Sequence, residues 1–167
     1  VEQYEARDPQ LEHKICSRFG ITHATVIKVA GDDDGGEIAR QTVGHFGAPA
    51  VMALLPTSGS LAVGGGRSVA DVVQRFRGGG NRRLTVLQAM GSIDSNISAV
   101  DALENGRSIV KRWGGEFMTL STPAYAADKR TRDSFLASDQ IRSVWQRLKK
   151  ADAAIVGVGG LARSVYV

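Results

Sequence analysis

Two spacings of apolar positions alternate along this chain. Apolar residues three to four apart occur at Leu11, Ile15 and Phe19, at Val69, Val72, Val73 and Phe76, at Val100, Leu103, Ile109, Val110 and Trp113, and at Ile141, Val144, Trp145 and Leu148. Each set falls on one face of a helix. Between them lie short runs that are apolar or β-branched: Thr25-Val26-Ile27-Lys28-Val29, Leu61-Ala62-Val63-Gly64, Leu84-Thr85-Val86-Leu87-Gln88-Ala89-Met90, Phe117-Met118-Thr119-Leu120 and Ala153-Ala154-Ile155-Val156. Such runs read as strands, several of them buried on both faces. The pattern predicts helices over residues 1–19, 37–55, 97–113, 129–137 and 139–150, and a further one opening near residue 67. Asp8-Pro9 is a helix start and Gly20 a stop, while Gly114-Gly115 closes a later helix. Pro49 is expected to split the segment 37–55, whose candidates for burial are Ile38, Val43, Met52 and Leu55.

Strands alternating with helices predict an α/β fold: a Rossmann-like, mostly parallel sheet with helices on both faces. No repeat, low-complexity segment or linker divides the 167 residues, so residues 1–167 read as one domain. The net charge of +4 is spread over short runs such as Asn81-Arg82-Arg83 and Lys149-Lys150, without an aromatic-interleaved basic stripe. Nucleic acid is therefore not the expected direct partner, whereas a small anionic ligand suits the charge. One cysteine, Cys16, excludes an internal disulfide and fits a reducing cytoplasm; its place in a helical pattern predicts a buried structural thiol. No apolar run approaches the roughly 18 residues of a membrane span. The three aspartates within residues 31–36 read as a solvated loop, and no metal or cofactor is expected.

Candidate chemistry concentrates where strands end in glycines. Gly64-Gly65-Gly66-Arg67-Ser68 joins a strand to a helix, with Ser68 expected as the cap. Gly91-Ser92 follows the next strand, and Gly157-Val158-Gly159 the last. In an open parallel sheet all carboxyl ends share one edge, where ligands bind. Three glycine turns there predict a concave site lined by backbone N–H groups, suited to phosphate. Arg67 would add a charge-assisted bond, and Ser68 and Ser92 would add hydroxyls. The spacing matches neither the dinucleotide fingerprint nor the lysine-bearing phosphate loop. His13, His23 and His45 lie away from the turns in sequence, and no aspartate forms a local acid–base motif. No catalytic residue is assigned, and binding is favoured over turnover.

Several stretches resemble the SorC family of bacterial transcriptional regulators. Gly64-Gly65-Gly66-Arg67-Ser68-Val69 resembles that family's glycine-tryptophan-glycine-arginine-threonine turn. The opening from Asp8 through Leu11 to Phe19-Gly20-Ile21 is similar to the start of its effector domain. Phe117 to Pro123-Ala124, then Arg132-Asp133 and Ile141 to Val144, keep the family's order. Ala151-Asp152-Ala153-Ala154-Ile155-Val156-Gly157-Val158-Gly159 matches its most specific segment. The resemblance implies a sugar-binding domain of the glucosamine-phosphate deaminase and ribose-phosphate isomerase fold type. It implies a phosphorylated sugar as effector, a homo-oligomer, and DNA contact only through a helix-turn-helix domain absent from this chain. Gly65, Gly66, Arg67 and Ser68 would hold phosphate, Gly91 and Ser92 would line the site, Asp101 falls near a sugar-contacting position, and Gly157 and Gly159 would complete the edge. Gly65 stands where the family has tryptophan, and Ser68 where it has threonine. The likeness also leads us to expect a chain shortened at both ends. A sugar-phosphate isomerase or deaminase on this fold, or an oligomerisation domain with a vestigial pocket, remains as an alternative.

Overall fold

The computed structural model describes residues 6–29, 36–79, 82–93 and 98–160. The first helix, α1 (Pro9–Phe19), forms as its end signals predict. The Asp8 carboxylate accepts from the Leu11 N–H at 3.0 Å, Pro9 occupies the first turn, and Gly20 closes the helix at φ +63°. Its anchor is unexpected. Glu12 is buried, and its carboxylate accepts both the Arg7 guanidinium (2.9 and 2.6 Å) and the Val26 N–H (3.0 Å). These bonds draw the run Thr25 to Val29 toward residues 6–8, where Arg7 and Ile27 form one antiparallel bridge. Among the described residues the expected strand is thus an isolated bridge outside the sheet.

The second helix, α2 (Glu37–Leu54), runs unbroken through Pro49. His45 and Pro49 are both exposed, so water can satisfy the carbonyl that the proline leaves without an amide. The buried face also differs from expectation. Gly44, Gly47 and Ala48 are the buried residues of this helix and Leu55 is buried just beyond it, while Ile38 and Val43 are exposed. A Cβ at Gly44 would lie 2.8 Å from the Asp71 carbonyl oxygen. Only small residues permit that approach, so the larger ones turn outward. Arg40 on α2 secures the contact with a 3.2 Å bond to the Asp71 carboxylate.

Four parallel strands form the sheet: β1 (Ser58–Val63), β2 (Arg83–Gln88), β3 (Glu116–Met118) and β4 (Ala153–Ile155), in the order β3-β2-β1-β4. The helices α3 (Arg67–Val73) and α4 (Ala102–Trp113) make the successive crossovers β1 to β2 and β2 to β3. Right-handed crossovers in one direction place both on one face. The return past β1 to β4 runs through α5 (Lys129–Ala137) and α6 (Asp139–Leu148), which puts them on the other face. The α/β reading, with a parallel sheet flanked by helices, therefore holds. Leu61, Val63, Val69, Val73, Phe76, Val86, Ile109 and Trp113 form the core between the sheet and the α3–α4 face. Phe76 stacks on Trp113 at 4.9 Å, and Arg82 lies over the Trp113 ring at 4.8 Å while donating to the Met52, Leu55 and Pro56 carbonyls at the end of α2.

Cys16 is half-buried rather than buried. The aspartates at 32–34, Gly80-Asn81 and residues 161–167 lie outside the described residues. Among the described residues no helix is long and apolar enough to cross a membrane, and no group of histidine, cysteine and acidic residues could hold a metal.

Candidate functional site

The chain steps outward from β1 through β2 to β3 and returns past β1 to β4, so the strand order reverses between β1 and β4. A crevice at such a point is where open parallel sheets bind ligands. In register, Val63 lies beside both Gln88 and Ile155, and Leu87 beside Met118. The turns after all four strands consequently meet on one edge, and with them all the candidate residues from the sequence.

Their individual placements divide. The turn after β1 is secured by its own amides: the Gly64 N–H donates to the Ile155 carbonyl at 2.9 Å, and the Gly66 N–H to the Val100 carbonyl at 2.7 Å. Gly66, at φ +110° and ψ 152°, occupies the cap position of α3. Ser68 is the second residue inside the helix and not its cap, because the positive φ that starts the helix falls on a glycine. Arg67 and Ser68 are exposed and stand at the first turn of α3, where amides have no intrahelical carbonyl. Among the described residues no ion pair engages the Arg67 guanidinium. Gly157 faces this turn: a Cβ there would lie 3.4 Å from Val69 Cγ2 and 3.8 Å from the Gly65 carbonyl oxygen. Gly159, two residues further on, borders open space.

Gly91 and Ser92 belong to a second cluster, beside the turn after β3. The Ser92 N–H donates to the Thr122 carbonyl at 3.0 Å, and the Ala124 N–H returns a bond to the Ser92 carbonyl at 2.8 Å. A Cβ at Gly91 would collide with the Thr122 and Pro123 carbonyls, so glycine is required there. Asp101 caps α4 through the Leu103 N–H at 2.9 Å. It adjoins Val100, which holds the Gly66 amide, so it borders the first cluster while serving the helix. Asn105 on α4 is buried and donates to the Gly64 carbonyl at 3.0 Å. It ties the helix to the glycine turn.

The sequence reading missed the cleft of about 620 Å³ beside the second cluster. Its volume is within the roughly 300–1,000 Å³ usual for small-molecule sites. Ser92, Thr119, Ser121 and Thr122 bring hydroxyls to it, Leu103 and Ile93 apolar surface, and Arg107 a charge. Gln88 forms part of the wall. It is 2% exposed, donating to the Met90 carbonyl at 2.8 Å and accepting from the Leu120 N–H at 3.1 Å. The sequence held one signal for the hydroxyls, since Thr119, Ser121 and Thr122 directly follow a strand. For Arg107 it held none, because the residue is one of several cations on α4 and only the fold selects it.

Among the described residues three ionisable groups are shifted, all outside the cleft. Bonds from Arg7 and Val26 hold Glu12 below its ordinary range. The Ser60 N–H and hydroxyl do the same for Asp152, and Thr131 for Asp128, the cap of α5.

Residues 5–167 match the family described as "Putative sugar-binding domain", named Sugar-bind. No curated protein sequence matches the chain. Among solved structures, the probable sor operon regulator from Shigella flexneri is 22% identical with a TM-score of 0.77, over 87% of this chain and 59% of that one. The full-length sorbitol operon regulator SorC from Klebsiella pneumoniae is 20% identical with a TM-score of 0.77, over 87% and 47%. The "putative SorC family transcriptional regulator" from Enterococcus faecalis is 25% identical with a TM-score of 0.65, over 87% and 58%. The chain therefore spans about half to three-fifths of these proteins' lengths.

Proposed function

This chain belongs to the Sugar-bind family of sugar-binding domains, and from that premise we propose that it is the effector-binding domain of a bacterial transcriptional regulator. Its effector is a phosphorylated sugar, bound at the carboxyl edge of the sheet and controlling DNA binding by a helix-turn-helix domain elsewhere in the whole protein. The single observation that carries this reading is that the turns after the four parallel strands share one edge, where a concave, hydroxyl-rich cleft opens at the turns after β2 and β3. Sugar hydroxyls are recognised by hydroxyl and amide partners such as Ser92, Thr119, Ser121 and Thr122. Phosphate is recognised by the first amides of α3 and by the Arg67 guanidinium. Gly65 and Gly157 let the ligand approach the backbone, Gly66 fixes the turn through its bond to Val100, and Gly159 stands at the rim.

The domain binds its ligand without converting it. Ring opening or isomerisation needs an acid and a base in contact with the sugar. The described residues that line the cleft offer hydroxyls, apolar surface and one guanidinium, the partners of a bound sugar. The regulator acts in the cytoplasm and assembles as a homo-oligomer. The exposed Val156 and Val158 beside the outer strand β4 support association along that edge.

A thermal-shift and calorimetry panel of pentose and hexose phosphates, their parent sugars and inorganic phosphate tests the proposal. A saturable rise in Tm with a phosphorylated sugar, exceeding that with the parent sugar and with phosphate, is expected. Arg67→Ala should weaken that binding by about 1.5–3 kcal/mol, the worth of a hydrogen bond to a charged group. An unresponsive panel, or parent sugars matching their phosphates, overturns the proposal. Unchanged affinity in Arg67→Ala removes that residue from the site, and an altered sugar in the NMR spectrum after incubation refutes the binding-only role.

A further inference from the structure

We propose that the outer face of α2 is an interface with a second copy of this chain, the two α2 helices packing antiparallel about a two-fold axis. The inference stands apart from the effector reading and from association along β4. It starts from an imbalance. Four of the twelve exposed large apolar side chains among the described residues, Ile38, Val43, Phe46 and Leu54, stand on α2, more than on any other helix or strand. Ile38 and Leu54 are 65% and 62% exposed. A surface helix that turns one apolar face to its own core presents a polar one to water. α2 is apolar on both sides.

The polar side chains of α2 are engaged away from that face. Arg40 bonds to Asp71 on α3 at 3.2 Å, and Gln41 donates to the Glu37 carboxylate at 2.7 Å. The Thr42 hydroxyl donates to the Ile38 carbonyl at 2.8 Å, which leaves its methyl group to pack. The His45 ring meets the Phe46 ring edge-on at 4.8 Å. In helical projection Glu37, Arg40, Gln41 and His45 all fall on the buried side or its margin. The outer face of α2 therefore carries no charge of its own. It offers nothing to an acidic or basic partner, and none of the cations that nucleic acid requires.

What covers the face follows from the order of side-chain sizes. The ridge of residues four apart along it reads Ile38, Thr42, Phe46, Ala50, Leu54: large, small, large, small, large. A two-fold axis between Phe46 and Ala50 sets Phe46 against the second copy's Ala50, and Leu54 against the second copy's Thr42. The same contacts recur in reverse, as a two-fold interface demands. Each of these large side chains then meets a small one, so the face is its own complement. Antiparallel packing also opposes the two helix dipoles. His45 lies about a quarter-turn off the ridge, so the carbonyl released by Pro49 keeps its water at the rim. The overlapping faces are about 20 Å long and about 10 Å wide, and as accessible surface the pair buries on the order of 1,000 Å². That meets the lower bound of a specific interface and implies a dimer in the micromolar range.

The test is sedimentation velocity of the protein and its variants from roughly 1 to 100 µM, the span in which such a dimer dissociates. The parent should form a dimer whose share rises with concentration. Leu54→Glu and Thr42→Lys should each weaken it at least tenfold, because each sets an unpaired charge against apolar surface. The double variant carrying both should recover the dimer, since the two opposite charges then face each other twice across the axis. That recovery also shows that the single variants fail by repulsion and not by misfolding. Val158→Glu, beside β4, should leave this dimer in place. A parent that is monomeric at every concentration overturns the inference. So do single variants that associate like the parent, or a double variant that associates no better than the singles. Association lost in Val158→Glu and kept in the α2 variants assigns the assembly to the β4 edge, and overturns it too. None of these outcomes bears on the effector reading, which the ligand panel tests separately.

Discussion

Replacing Gln88 by methionine isolates the polar contribution of one residue to the shape of the ligand edge. The side chain is 2% exposed and stands at the last position of β2. β3 ends at Met118, two residues before Leu120. The Gln88 amide takes over where the main-chain ladder stops, accepting from the Leu120 N–H at 3.1 Å and donating to the Met90 carbonyl at 2.8 Å. Methionine has nearly the same length and volume, so no cavity opens and only the two bonds are lost. Leaving a buried main-chain group without its partner costs about 1–3 kcal/mol. Leu120 is buried and bears that cost in full, whereas the half-buried Met90 recovers part of it from water. The relief of no longer burying an amide offsets about 1 kcal/mol, leaving a net loss of roughly 1–4 kcal/mol. Urea unfolding should show an unchanged slope and a midpoint lower by about 0.5–2 M, for a slope near 2 kcal/mol/M. Gln88→Glu provides an internal check. A carboxylate still accepts from Leu120 but cannot donate to Met90, and burial raises its pKa in the folded state. The folded form then binds a proton more tightly than the unfolded one, so this variant should gain stability as pH falls from 8 to 5. A loss below about 0.5 kcal/mol in Gln88→Met, or a Gln88→Glu variant indifferent to pH, would refute the role given to these bonds.

Two further outcomes follow from the same geometry. Glu12, Asp128 and Asp152 all have folded-state pKa values below their ordinary 4.5, 3.8 and 3.8. Their contribution is present above the unfolded values and lost as pH falls through the folded ones. Tm should therefore be flat from pH 7 to about 5 and fall below about pH 4, less steeply in Asp152→Asn; a Tm that rises on acidification contradicts the assignment. Gly91→Ala should lower stability by roughly 1–3 kcal/mol, because its methyl meets the Thr122 and Pro123 carbonyls. In Gly157→Ala the new methyl would meet Val69 Cγ2 at an ordinary 3.4 Å, so its urea midpoint should stay close to that of the parent; equal losses at the two sites would show that the close approach at Gly91 is not what constrains it.

The elements whose physics is local were legible in the sequence. Asp8-Pro9 and Gly20 bound α1 because a cap, a first-turn proline and a left-handed glycine act within a few residues. The sheet runs were legible because a strand covered on both faces must be apolar throughout. Pro49 misled because a helix interior tolerates proline where the freed carbonyl meets water. Thr25 to Val29 misled because β-branching reports a preference for extended backbone and not the presence of a partner strand. Ile38 and Val43 misled because the hydrophobic pattern alone cannot show that α2 and α3 approach through glycines. The candidate site was half legible for a related reason. Glycine turns mark where strands end, but the cleft depends on Arg107 and Thr119 to Thr122, which only the order β3-β2-β1-β4 sets beside Ser92.

That order also changes what the glycines are for. Read from sequence alone, the turn after β1 is an open cradle of amides. In the fold, Gly64 and Gly66 spend their N–H groups on Ile155 and Val100, and Ser92 spends its own on Thr122. A parallel sheet loses its ladder partners where the strands stop, and these bonds replace them, joining β1 to β4 and the turn after β2 to the turn after β3. The glycines are thus framework residues whose missing side chains let the turns close on one another. For the proposed effector this leaves the first amides of α3 and a set of side chains: Arg67 on one flank, Arg107 and the hydroxyls on the other. Recognition resting on side chains can be retuned without disturbing the backbone that carries it. On this division of labour, substitutions at Gly91 act on stability before ligand affinity, and substitutions at Arg67 or Arg107 act on affinity with stability intact. A glycine variant that folds normally yet loses ligand would break the division, and would return the amides to the role the sequence first suggested.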